Sequence, residues 1–121
     1  MSEKIDETEL NFPLKVFVAG THVEGRLKNI ERYSKPGSHY ELKREPGNKV
    51  DSNAIQFKQR FKNGGAIVLG YVPGKYAKDL APMLDAGAQF KVLFLVAIID
   101  KDSGVFKGLM LRILREGTKT A

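Results

Sequence analysis

Apolar and polar side chains alternate through several short stretches of this chain, the period-two signature of half-buried strands. Residues 13–19 carry Leu14, Val16 and Val18 against Lys15 and Phe17, and Gly20 ends the run. Residues 39–43 set Tyr40 and Leu42 on one side. Residues 53–60 alternate Ala54, Gln56 and Lys58 with Ile55, Phe57 and Gln59. Asn63-Gly64-Gly65 is a strong hairpin signal. It leads into residues 66–72, where Ile67, Val68 and Leu69 are bulky enough for a buried strand. Residues 88–100 read as a long apolar strand, turned back at 101–104 into residues 105–115, where Leu109, Leu111 and Ile113 alternate with Met110, Arg112 and Leu114.

The one helical period lies between these last strands and the rest. Tyr76, Leu80 and Leu84 recur every four residues, after a Pro73 suited to a first helical turn. Pro82 lies inside the period and lacks the amide its helix needs, which predicts a kink or two short helices. Gly87 stops the helix. Residues 21–37 show no clean period, and Gly25, Pro36, Gly37 and four cations predict a loop over 26–37, with a short extended piece at 26–30. Residues 1–10 read as a frayed acidic tail. Six strands, one short Pro-kinked helical insertion and glycine-rich turns predict a mostly β, small antiparallel barrel with the helix plugging one end. At 121 residues the chain fits a single domain, expected over 11–117.

Composition narrows the chemistry. The chain has no cysteine, so it has no disulfide framework, and His22 and His39 alone are too few for a structural zinc site. The longest apolar run, Val92 to Ile99, is far too short for a bilayer. The N-terminal residues lack the basic-then-apolar order of a signal peptide, which predicts a cytoplasmic protein with no membrane partner. The net charge is +6, and residues 26–62 hold ten basic and four acidic side chains, so the whole excess lies in that stretch. Such a concentration can be a phosphate-facing footprint or a solvated surface.

The most informative segment is Tyr40 to Ile55, YELKREPGNKVDSNAI. Its connection is longer and more polar than a simple hairpin needs, and polar loops on rigid sheets often carry binding sites. The plainer reading is a turn in which Asp51 or Asn53 bonds its own backbone. Arg44 and Lys49 are candidate phosphate contacts, with Tyr33, Tyr40, Tyr71 and Phe57 as candidate stacking rings. Core packing is the competing role for Tyr40 and Phe57, and Arg44 can instead brace the turn by pairing with Glu45 or Asp51.

No catalytic constellation stands out. Gly70 to Tyr76 (GYVPGKY) lacks the spacing and the Ser or Thr of a phosphate-binding loop. The two histidines are far apart with no nucleophile elbow nearby. A carboxylate pair would have to come from Glu45 and Asp51, and nothing in the sequence shows them converging. The expectation is a non-enzymatic binding module with no cofactor.

REPGNKVDSNAI at Arg44 to Ile55, followed by LGYVPGKYAKDLAPML at Leu69 to Leu84, resembles the HIRAN domain family. The family's segment runs Arg, Glu or Asp, Pro, any, Asn, any two, Asp, any, Asn, Ala, Ile. Arg44, Glu45, Pro46, Asn48, Asp51, Asn53, Ala54 and Ile55 stand in that register. Val18 to Gly20 is similar to the end of the family's first strand, and the resemblance spans roughly Leu14 to Arg115. It implies a six-stranded barrel related to OB and SH3-like folds. It also implies capture of the 3′ end of single-stranded DNA, in repair or replication processing, with a helicase or other DNA-processing protein as partner.

Residue by residue, the resemblance implies that Asp51 accepts a hydrogen bond from the terminal 3′-hydroxyl and that Asn48 contacts base or sugar. Tyr71 stands where the family often has a histidine near a phosphate, and Lys75 stands in for a nearby lysine. His22 or Val23 occupies the place of a stacking tyrosine, so His22 joins Arg44, Asn48, Lys49, Asp51, Tyr71 and Lys75 as candidate DNA-binding residues. There are departures. Val50 replaces a second stacking tyrosine, Lys49 stands where proline is usual, and Gly47 where asparagine is frequent. Losing one stacked base costs about 1–3 kcal/mol. A protein-interaction module that kept the fold but lost end recognition is the alternative reading, and a metal-dependent nuclease a third.

Overall fold

The computed structural model describes residues 10–116. The chain runs β1 (Leu14–Phe17), α1 (Arg26–Tyr33), β2 (His39–Arg44), β3 (Ile55–Arg60), β4 (Ala66–Tyr71), α2 (Gly74–Asp85), β5 (Phe90–Ile99) and β6 (Phe106–Arg115). The stretch expected as an acidic tail lies outside the described residues except for Leu10, which packs against the core. No described helix is long and apolar enough to cross a membrane.

The architecture is mostly β, antiparallel and OB-like, with all six expected strands present. They form two three-stranded sheets, ordered β1-β6-β5 and β2-β3-β4. The alternation read from the sequence explains the packing. Leu14 and Val16 on β1, Val92 on β5, and Leu109, Leu111 and Ile113 on β6 turn inward, as do Ile55, Phe57 and Leu69 from the other sheet. Tyr40 and Leu42 pack against this core from β2, so Tyr40 and Phe57 are packing residues rather than exposed rings. Leu80 and Ala77 bring α2 into the same core.

The sheets are stitched at one point. Ala19, two residues beyond β1, exchanges both backbone hydrogen bonds with Tyr71 at 2.8 Å. The close approach needs Gly70, because a Cβ there would stand 2.2 Å from the Ala19 carbonyl oxygen, inside any allowed contact. A register shift between Phe57 and Lys58 leaves Leu69 as an extra residue in β4, just ahead of Gly70. Such bulges re-aim the strand end that follows.

Two expectations are corrected by the structure. Residues 26–33 are helical, not a loop, so the fold has two helices. Ile30, fully buried, anchors α1, and Gly25 at φ 85° supplies the left-handed turn that starts it. Of the two outcomes expected at Pro82, the pair of short helices does not form: α2 is one helix that continues to Asp85. It stands in the last turn and faces solvent, so the bond it forfeits is an exposed one near the helix end. Gly87, at φ 98°, closes the helix with the Ala88 amide donating to the Met83 carbonyl at 2.9 Å and the Gly87 amide donating to the Leu84 carbonyl at 3.0 Å.

Candidate functional site

The β2–β3 connection is a braced loop. The Asn48 carboxamide oxygen accepts from the amides of Val50 at 2.9 Å and Asp51 at 3.0 Å, while its nitrogen donates to Glu45 at 3.1 Å. Asp51 accepts the Asn53 amide at 2.8 Å through one carboxylate oxygen. The Ala54 amide closes the turn on the Asp51 carbonyl at 3.0 Å. These are the local side-chain-to-backbone bonds that Asn and Asp favour in turns.

Arg44 anchors the loop from below. Its Nη1 donates to the carbonyls of Ser52 at 3.1 Å and Ala54 at 2.9 Å. Its Nε and Nη2 grip Asp85 at 2.9 and 3.1 Å, a bidentate pair that ties the end of β2 to the end of α2. That hydrogen bond holds the Asp85 carboxyl below the usual carboxylate range and raises the guanidinium further. The sequence expectation of a bracing arginine therefore holds, but its partner is Asp85, from a distant part of the chain, rather than Glu45 or Asp51.

Glu45 is the hub. One oxygen accepts from the Tyr71 hydroxyl at 2.8 Å as well as from Asn48, and the other accepts from the buried Gln56 amide at 2.9 Å. This carboxylate locks the loop onto the end of β4. Its role is invisible in the sequence, since Gln56 and Tyr71 reach it only after the strands pair.

Above this framework sits a hollow of about 280 Å³, lined by Asn48, Val50, Asp51, Ala54, Tyr71 and Val72. Asp51 is half-exposed, and among the described residues its second carboxylate oxygen has no hydrogen-bond partner. Val50, where the sequence comparison expects a stacking ring, is 95% exposed at the rim. The Arg26 guanidinium lies 5.8 Å from the centre of the Tyr71 ring, held there by its bond to the Gly20 carbonyl at 2.9 Å. Arg26 was not among the candidates, and only its place in the basic stretch pointed to it.

The seven candidates thus divide. Asn48, Asp51 and Tyr71 converge on the hollow. Arg44 and the Asn48 amide are committed to bracing. Lys49 is exposed on the loop, His22 on the turn after β1, and Lys75 at the start of α2, where its ammonium lies 5.0 Å from the Tyr76 ring; none of the three lines the hollow. A larger hollow, bounded by Leu10, Phe12, Met83 and Arg115, contains none of the motif residues. Among the described residues no three His, Asp or Glu side chains gather to hold a metal.

The fold is similar to two solved structures. The HIRAN domain of human HLTF superposes with a TM-score of 0.55 at 22% identity, covering 84% of this chain and 73% of that one. A protein from Lactobacillus plantarum superposes with a TM-score of 0.57, also at 22% identity, covering 83% of this chain and 91% of that one. No curated protein matches the chain in sequence. Residues 12–111 match the HIRAN domain, and that span takes in both sheets, both helices and the braced loop, so the chain belongs to the HIRAN domain family.

Proposed function

We propose that the protein is a non-enzymatic module that binds single-stranded DNA at a free 3′ end, acting in the cytoplasm in repair or replication processing beside a helicase or other DNA-processing protein. One observation carries the reading. Asp51 offers the hollow a carboxylate oxygen that its own loop does not use, beside a fixed aromatic ring. A terminal 3′-hydroxyl is a donor that such an oxygen can accept, and the Tyr71 ring with its arginine neighbour is a surface for the last base or sugar. Lys49, exposed in the loop beside Val50, and Lys75, exposed at the start of α2, supply charge toward the adjoining phosphates.

The test is titration of a labelled oligonucleotide with a free or a phosphorylated 3′ end, at two ionic strengths. A free end binds more tightly, because the added phosphate sets negative charge against Asp51. Asp51→Asn removes most of that preference and costs roughly tenfold or more for the free end, as expected for a hydrogen bond to a charged acceptor. Equal binding of both ends by the wild-type protein overturns end recognition. The second reading, a protein-interaction module, is favoured by Val50, an apolar side chain almost wholly in solvent. Absence of oligonucleotide binding at micromolar protein and low salt selects it.

A further inference from the structure

The motif hollow accounts for one end of the β2-β3-β4 sheet and leaves a second concavity at the other. Helix α1 begins at Arg26, over Tyr71, and ends at Tyr33, whose ring meets Phe61 edge-on at 5.2 Å. It therefore runs from the hollow to the far end of β3, a distance of about 12 Å along its axis. Between this helix end and the β3–β4 hairpin lies a groove of about 300 Å³, walled by Arg32, Tyr33, Lys35, His39, Arg60 and Lys62.

The groove has a fixed floor. Gln59, 3% exposed, donates to the Tyr33 carbonyl at 2.9 Å and to the Ser38 hydroxyl at 3.2 Å, and accepts from Ser34 at 2.5 Å. One buried carboxamide thus pins the end of α1 and the start of β2 to β3. Glu41 answers Arg60. Among the described residues no carboxylate pairs with Arg32, Lys35 or Lys62, so the wall keeps about three uncompensated positive charges. Tyr33 is 39% exposed, with the Arg32 guanidinium 5.7 Å from its ring centre. Lys28 and Arg32, four apart on the exposed flank of α1, continue the charge back toward Arg26.

We infer that this groove is a second subsite for the same strand, taking the phosphodiester backbone a few nucleotides from the end and stacking one base on Tyr33. The inference rests on the proposed function, because it needs an end anchored at Asp51. A track of cations spaced along a helix, closed by an exposed ring, matches a ligand whose charge repeats regularly and whose bases offer flat faces. An acidic protein surface has the charge but not the regular repeat.

The test compares oligothymidylates of about four and about twelve nucleotides, within the span such folds cover, against the wild-type protein and a variant combining Arg32→Ala, Lys35→Ala and Lys62→Ala. The wild type binds the longer strand more tightly. The variant binds the short strand as the wild type does and loses about tenfold for the long one. Its salt slope falls by about 2, at roughly 0.7 for each phosphate contact removed on a single strand. Tyr33→Leu, which leaves the charge intact, weakens only the long strand and leaves the slope unchanged. If the triple variant keeps the wild-type affinity for both lengths, the groove is not part of the DNA site, even where 3′-phosphate still weakens binding. That is also the result if the groove serves an acidic protein. If neither length binds the wild-type protein, both this inference and the proposed function fall.

Discussion

Tyr71 performs two separable tasks. Its hydroxyl donates to Glu45 and so fixes the motif loop, while its ring faces the hollow with Arg26 alongside. Substitutions can divide the two. Tyr71→Phe keeps the ring but removes the hydrogen bond to the Glu45 carboxylate and a long one accepted from Gln56 at 3.4 Å, so it lowers stability by about 1.5–3 kcal/mol and leaves oligonucleotide affinity nearly unchanged. Tyr71→Leu removes the ring, and affinity falls about ten- to a hundredfold, the range for loss of a stacked base. Urea denaturation and an anisotropy titration on the same two proteins check both statements. An equal affinity loss in the two variants would mean that loop position, not ring stacking, is what Tyr71 contributes.

Strands and helices differ in how openly the sequence announces them. All six strands could be read directly: β1 and β6 keep a period of two because one face meets the core, β2 and β3 show shorter alternations, and β4 and β5 stand out as bulky apolar runs. α1 could not. Only Ile30 of its eight residues is fully buried, so its polar surround reads as a loop, and its helical state comes from one tertiary anchor rather than from a repeating stripe. The motif residues Asn48, Asp51 and Tyr71 were legible as a group through the family resemblance of the two segments that carry them. Arg26 and the hub role of Glu45 were not, since each depends on pairing between segments remote in the chain. The Arg44–Asp85 pair is of that second kind, and it has a pH signature. The folded carboxyl of Asp85 is held below its unfolded value of about 3.9. Its contribution to stability is therefore present above that pH and disappears as pH falls through the lowered folded value. Asp85→Asn should be less stable than the wild type near neutrality, with the gap in denaturation midpoint closing below about pH 4.

The two sheets share one core but meet through few backbone bonds. The exchange between Ala19 and Tyr71 joins them, and Gly70 lets them approach. The basic excess of residues 26–62 is carried by α1, β2, β3 and their loops, and α1 packs against β4 of one sheet and β6 of the other. Helix α1 spans the interval between the motif hollow and the groove beside Tyr33, with Arg26 at one end and Arg32 at the other. The residue that forms half of the stitch between sheets is also a wall of the hollow. Occupancy there acts as a clasp: a guest held against Tyr71 resists any opening that would part the sheets. Amide deuterium uptake at Ala19 and Tyr71 should slow on saturation with a free-ended oligonucleotide, by a factor approaching 1 + [L]/Kd where exchange requires that opening.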